Sequence, residues 1–300
     1  MTDNSKIKVF IGCDPNNCDL EQMMVLDYSI HKHTSQAVEI VWMQLSHDAN
    51  SFWYSDRDTQ SGWRTEKWAT PFSGFRWAIP AYCNYQGRAI YMDTDVIVLS
   101  DLAKLWQHPI EGDAVVAAKG GKSSARLCTC VWDCAKAEAL LAPIDSLKAD
   151  PDSHKKLMKR IQEQPTLVQP YQDHYNCIDG EGLTVPEMKI LHYSDMGTQF
   201  SHKYAMPRLA QSQTAHWFDG EILPHPRQDL AQLFDQYYQE ALAAGYRLEN
   251  YLIQPYGAFY KASQKKYQGN KVTRQASEHP WFKRLLQKFK AQKKTFSLDD

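Results

Sequence analysis

The 300-residue chain has no apolar run approaching the roughly 18–20 residues that a membrane-spanning helix needs, so an integral span is not expected. Its opening, MTDNSKIKVF, has no apolar segment of the kind that precedes a secretory cleavage site, and a cytoplasmic location is the expectation. The seven cysteines are odd in number and come without a secretion signal, which argues for free thiols rather than a disulfide framework. Beside Cys128, Cys130 and Cys134 no second Cys or His pair stands at zinc-site spacing, so small buried thiols are preferred to structural zinc. Internal repeats and low-complexity linkers are also lacking, which favours one large domain over a string of modules. Net charge is scarce as well, at −1 overall.

What is present is an ordinary globular composition, 43% apolar and 23% charged, on a chain long enough to bury a substantial core. Residues 8–12 read as a buried strand that breaks at Cys13-Asp14-Pro15. Residues 19–33 have helical spacing, with Met23, Leu26 and Ile30 among polar neighbours, and 38–45 read as a second strand. This alternation predicts an α/β fold with a mainly parallel sheet flanked by helices. Residues 47–70 show no period and read as a long loop rich in aromatics. Further along, 73–86 is expected to be helical around Pro80, 115–118 and 127–132 to be strands, and 135–141 to be a helix. A last strand is expected near 188–191 and a last helix over 227–245.

One stretch breaks the pattern. In AIYMDTDVIVLSDL (89–102), Asp93 and Asp95 sit between Ile90-Tyr91-Met92 and Val96-Ile97-Val98-Leu99. Carboxylates among apolar residues are costly unless paired. In an open α/β sheet, ligands bind beyond the carboxyl ends of the strands, which is where this strand runs out. Two Asp residues at i and i+2 on a chain leaving a strand can face one centre, and a divalent cation there would relieve their repulsion. Mg²⁺ or Mn²⁺ commonly joins protein carboxylates to substrate phosphates in this way. The competing reading is a solvated turn.

With YMDTDVIVLSDLAKLW (91–106) the chain resembles glycosyltransferase family 8, retaining nucleotide-sugar transferases of the GT-A fold. FSGFRWAIPAY (72–82), LCTCVWDCAKA (127–137), YQDHYN (171–176) and ILHYSDMGTQ (190–199) resemble further elements of that family. The resemblance implies that Asp93, Asp95 and His192 hold Mn²⁺ or Mg²⁺. It implies that Asp14 and Asp93 lie by the nucleotide, that Arg76 touches the diphosphate or donor sugar, and that Asp173 hydrogen-bonds the transferred sugar. Gly197 follows His192 by five residues and no Lys-Pro comes after it, a departure that leaves Lys203 as the nearest basic residue for the phosphates. The family's Asn-x-Gly strand is Cys-rich here. Read without the resemblance, His192 is a core histidine at a strand end, Arg76 a structural ion pair, and Asp173 a helix N-cap. Trp53, Tyr54, Trp63 and Trp68 either stack on sugar faces or plug the core, and the second is preferred.

The implied function is transfer of a hexose from a nucleotide sugar, a UDP-sugar in particular, to a saccharide or lipid-linked glycan such as lipopolysaccharide or capsule. Two other readings stay open: a haloacid-dehalogenase-like, Mg²⁺-dependent phosphatase, and a non-catalytic sugar-nucleotide-binding module. The charge distribution adds a clue. Residues 261–300 hold eleven Lys/Arg against three acidic residues, about +8, so the remainder carries about −9. Within them HPWFKRLLQKFKAQKK (279–294) sets Trp281, Phe282, Leu285, Leu286 and Phe289 at helical spacing among basic residues. That pattern predicts a basic amphipathic helix on an anionic membrane surface, placing the protein peripherally on the inner face. Nucleic acid is not expected as a partner. The expected division is a domain over 1–260 and a basic tail over 261–300.

Overall fold

The computed structural model of the protein describes residues 6–120, 125–171, 173–214, 216, 218 and 220–257. Its strands in chain order are β1 (Ile7–Gly12), β2 (Val38–Met43), β3 (Ser55–Asp56), β4 (Ser61–Gly62), β5 (Arg88–Asp93), β6 (Val96–Val98), β7 (Val116–Lys119), β8 (Arg126–Asp133), β9 (Val168–Tyr171), β10 (Cys177–Ile178) and β11 (Ile190–His192). The central sheet has the order β2-β1-β5-β8-β7-β9. β1 is parallel to β2 and β5, β8 is antiparallel to both β5 and β7, and β7 is parallel to β9. Only β8 runs against the rest, so the sheet is mainly parallel, as the strand–helix alternation predicts.

β1 and β5 are nearly continuous apolar runs because both faces of the sheet are covered. Their alternation sorts the residues. Phe10 and Tyr91 face a core with Trp53, Trp63, Phe75 and Trp132. Val9, Ile11, Ile90 and Met92 face the opposite core, beneath the helix Leu20–His33. The helix Gln228–Ala243 seats Ala241 in that second core.

The aromatic loop 47–70 folds inward around the short hairpin of β3 and β4. Trp53, Trp63 and Trp68 are buried, and Trp53 and Trp68 each meet Phe75, at centroid distances of 4.8 and 5.4 Å. They plug the core and present no stacking face to a sugar. Gly74 is required beside them, since a Cβ there would lie 2.2 Å from the Trp68 ring. The expected helix over 73–86 becomes a 3₁₀ turn, Phe75–Ala78, and one α-turn, Ile79–Tyr82. Pro80 sits in the first turn of the latter, where its missing N–H is no loss. Asn84 and Tyr85 then take positive φ and end the segment. The helix expected over 135–141 is only Cys134–Ala137, and 227–245 holds Gln228–Ala243 with Gly245 at φ +92°.

A second sheet, β10-β11-β6, forms where the chain leaves the D-T-D step. β6 pairs antiparallel with β11 in a register that sets Val96 opposite His192. The expected boundary at 260/261, the tail 261–300 and the helix 279–294 lie outside the described residues. No helix among the described residues is long and apolar enough to cross a membrane.

One buried histidine makes folding pH-sensitive. Trp77 Nε1 donates to His154 Nδ1 at 2.9 Å, and burial, with the Arg76 charge adding to it, pushes the imidazole down to about 4. Because this folded-state pKa is below the unfolded one, the contribution is complete above about pH 6.5 and is lost as pH falls toward 4. At roughly 1.4 kcal/mol per pKa unit, the loss is at most about 3 kcal/mol. Urea unfolding from pH 7.5 down to 4.5 should show a smaller pH-dependent loss in His154→Gln, which retains an acceptor for Trp77 but does not titrate.

Candidate active site

Asp93 ends β5 level with Gly12, the last residue of β1. The close approach explains the glycine: a Cβ at Gly12 would lie 3.0 Å from the Phe72 side chain and 3.3 Å from the Tyr91 hydroxyl. Thr94 is tied to the same place, its hydroxyl donating to the Gly12 carbonyl at 3.2 Å. Asp95 is fixed on the other side by the Tyr193 amide, which donates to its carbonyl at 2.9 Å. The D-x-D step is therefore held between β1 and the β6–β11 ladder, and His192 is brought to it from β11.

The side chains converge on one cleft of about 190 Å³ lined by Arg76, Asp93, Asp95, His192, Ser194 and Gln199, among others. Larger clefts lie at Ser55–Glu66 and between Trp42 and Tyr256, about 280 and 320 Å³. Size does not select the site; the titratable groups do. His192 Nε2 is 3.2 Å from Asp95 Oδ1 and 4.0 Å from Asp93 Oδ2. Arg76 Nη2 is 3.2 Å from Asp93 Oδ1. The guanidinium is aimed by Nε donating to the Ser73 carbonyl at 3.1 Å and Nη1 to the Leu127 carbonyl at 2.7 Å. It also lies over the Tyr91 ring, 4.5 Å from the centroid. The Tyr91 hydroxyl donates to Asp93 Oδ1, and Gln199 Nε2 donates to Asp95 Oδ2 at 2.6 Å.

Burial pushes the Asp93 carboxyl up, with the Arg76 charge opposing it and Asp95 reinforcing it. Burial alone would pull His192 down. The neighbouring Cys128 sulfur and then the Asp95 carboxylate more than offset this, and the ring is held well above an ordinary histidine. Arg76 is likewise held in its charged form: burial works against it, but Tyr91 and Asp93 outweigh that. The cleft thus sets the Arg76 guanidinium and the His192 ring against its carboxylates.

The structure brings together Arg76, Asp93, Asp95 and His192. The three ligand atoms that all lie within 4.8 Å of one another, however, belong to Asp93, Cys128 and His192. Asp95 faces His192 but stands outside this trio, its second oxygen held by Gln199. Asp14 is buried at the end of β1, where its Oδ1 accepts from the Asn16 and Cys18 amides at 2.7 and 3.0 Å and shapes the loop before the helix. Asp173 is not in the cleft. It follows β9 and is absent from the cleft's lining, and its exposed carboxylate pairs with Lys189 at 3.1 Å. Lys203 is also elsewhere, exposed on the helix His202–Gln211 and paired with Asp235 at 2.7 Å.

The sequence does not single out Tyr91 or Gln199, and it marks Cys128 only as one of the Cys128, Cys130 and Cys134 cluster read as small buried thiols. Tyr91 carried a usable signal, since a residue two before Asp93 on a strand shares its face. Gln199 reaches Asp95, and Cys128 comes near Asp93 and His192, only through tertiary pairing. Cys130 and Cys134 are buried, all seven cysteines are free thiols, and the Cys128–Cys130–Cys134 trio does not converge as a metal-holding cluster among the described residues.

Comparison with known proteins bears on this geometry. The model of the family described as "Glycosyl transferase family 8" matches residues 20–167, and over that stretch the chain is glycosyltransferase family 8-like. Among solved structures, the WbbM bifunctional glycosyltransferase in its apo form is similar with a TM-score of 0.51 at 14% identity, over 81% of this chain and 52% of that one. The glycosyltransferase GlyE of Streptococcus pneumoniae TIGR4 is similar with a TM-score of 0.51 at 14% identity, over 80% of this chain and 63% of that one. This chain therefore spans between half and two thirds of those two chains, and the likeness establishes the GT-A fold. No curated protein sequence matches the chain.

Removing the buried guanidinium takes from Asp93 its closest cationic partner, a loss of roughly 3 kcal/mol for buried pairs. Arg76→Met should show this loss in urea unfolding at pH 7.5. Added Mn²⁺ should restore more stability to the variant than it adds to the wild type.

Proposed function

We propose that the protein is a metal-dependent glycosyltransferase that moves a hexose from a nucleotide sugar, in particular a UDP-sugar, to a saccharide or glycolipid acceptor such as lipopolysaccharide or capsule. The observation that carries this reading is the convergence of Asp93, Asp95, His192 and Arg76 in one cleft at the carboxyl end of β5. The family match over 20–167 supports the same reaction class.

The side chains suit a divalent cation. The His192 Nε2 and the carboxylate oxygens of Asp93 and Asp95 already face each other across the cleft, nitrogen and oxygen donors of the kind such an ion takes. Asp93, Asp95 and His192 would hold Mn²⁺ or Mg²⁺, which when bound offsets the charge that builds on a diphosphate leaving group. The protein's own residues do the rest. Tyr91 and Arg76 fix one oxygen of Asp93, and Gln199 fixes one oxygen of Asp95, so each carboxylate has a set orientation. Arg76 makes three hydrogen bonds to protein through Nε, Nη1 and Nη2, out of the five N–H groups a guanidinium carries. Its remaining donors serve a phosphate oxygen, where a charged donor in a water-poor site is strongest. Asp14, beside the end of β1, is assigned to the nucleoside.

In this reading the acceptor hydroxyl attacks from the face the diphosphate leaves, with retention of configuration. Asp173 and Lys203 are given no role in it, since neither lines the cleft. The basic tail, about +8 over residues 261–300, is assigned to an anionic membrane surface on the cytoplasmic side. The domain division at 260/261 belongs to the same proposal.

Calorimetric titration of a panel of nucleotide sugars, with and without Mn²⁺, tests the reading. One UDP-sugar should bind at least about tenfold more tightly with Mn²⁺, a difference of roughly 1.4 kcal/mol. Asp95→Ala should abolish that gain. A panel with no metal-dependent binding would overturn the proposal and direct attention to phosphate-ester hydrolysis.

A further inference from the structure

The proposed reaction leaves Cys128 without a task, although its sulfur belongs to the trio of ligand atoms that lie within 4.8 Å of one another. Cys128 projects from β8, beside the strand that ends in Asp93. It is half-buried, whereas the other six cysteines are buried. Its Sγ donates to Asn176 Oδ1 at 3.2 Å. Asn176 is itself fully buried and held by its Nδ2, which donates to the Arg126 and Thr129 carbonyls at 3.3 and 3.4 Å. The sulfur is therefore aimed and not a space-filling thiol.

Donor chemistry discriminates between cations. Mg²⁺ and Mn²⁺ prefer all-oxygen or oxygen-rich surroundings, whereas a thiolate beside an imidazole suits zinc-class ions. Adding the Cys128 sulfur to carboxylate and imidazole donors makes a mixed O, N and S set of the kind zinc-class ions take.

We propose that Cys128 is a ligand of the cation centre, and that its sulfur makes the centre prefer Zn²⁺ or Co²⁺ to Mn²⁺ or Mg²⁺. This rests on the reading of the cleft as a cation site. Coordination replaces the S–H bond by a sulfur–metal bond, and the thiol proton passes to solvent.

Co²⁺ titration of the full chain, followed by absorption without nucleotide, tests it. The wild type should develop a sulfur-to-cobalt charge-transfer band in the near ultraviolet, and Cys128→Ser should lose it. By competition, Zn²⁺ affinity should fall by roughly tenfold or more in Cys128→Ser, while Mn²⁺ affinity changes little. A second measurement needs no variant. Thiol alkylation mapped by mass spectrometry should strike Cys128 first, and Zn²⁺ should slow it where Mg²⁺ does not. Cobalt binding without the band, or a band that survives in Cys128→Ser, overturns the Cys128 assignment. If Mn²⁺-dependent nucleotide-sugar binding is still seen, the transferase reading stands alone. If no cation binds at all, both fall.

Discussion

Asp93 and Asp95 lie two residues apart in a cleft where their side chains keep only 18% and 15% of their exposure. Like charges so placed repel each other and lack the water that would screen them, so the surroundings must supply positive charge or donors. The neighbouring residues follow from that demand. Arg76 is aimed by two backbone carbonyls, Tyr91 spends its hydroxyl on Asp93, Gln199 spends its amide on Asp95, and His192 is pressed in from a different sheet. Each is a partner for negative charge, and together they hold the two carboxylates in place at the rim of the core.

The backbone makes this affordable by keeping the carboxylates at the edge of the core. The parallel register of β1 and β5 ends both strands level, so Gly12 and Asp93 share one rim. Alternation along β5 puts Tyr91 and Asp93 on the same face, so the phenol that packs into the tryptophan core also reaches the carboxylate. The aromatic loop 47–70 wedges that core and backs the turn that carries Arg76. Site and core are thus mechanically continuous.

What the sequence reveals follows the range of the forces involved. β1, the helix after it and β5 are legible because burial on both faces writes unbroken apolar runs. The acidic step is legible because carboxylates contradict such a run. Local spacing could not foresee that Asp173 and Lys203 would be satisfied by Lys189 and Asp235, since those partners depend on tertiary placement. For the same reason Gln199 draws no attention and Cys128 is grouped with its chain neighbours Cys130 and Cys134: the contacts of Gln199 to Asp95 and of Cys128 to Asn176 span 104 and 48 residues. The helix around Pro80 shortened because an aromatic-rich segment bound on several sides gains more from packing than from regular hydrogen bonding.

The central claim is that Asp93, Asp95 and His192 surround a divalent cation beside Arg76, with a diphosphate against it. Crystals grown with Mn²⁺ and UDP, measured for anomalous scattering at the manganese edge, address it directly. The account predicts an anomalous peak within ligand distance of all three side chains, with diphosphate density reaching both the ion and Arg76. A diphosphate bound elsewhere, or a cleft in which the three side chains keep their mutual contacts with no peak between them, would contradict it.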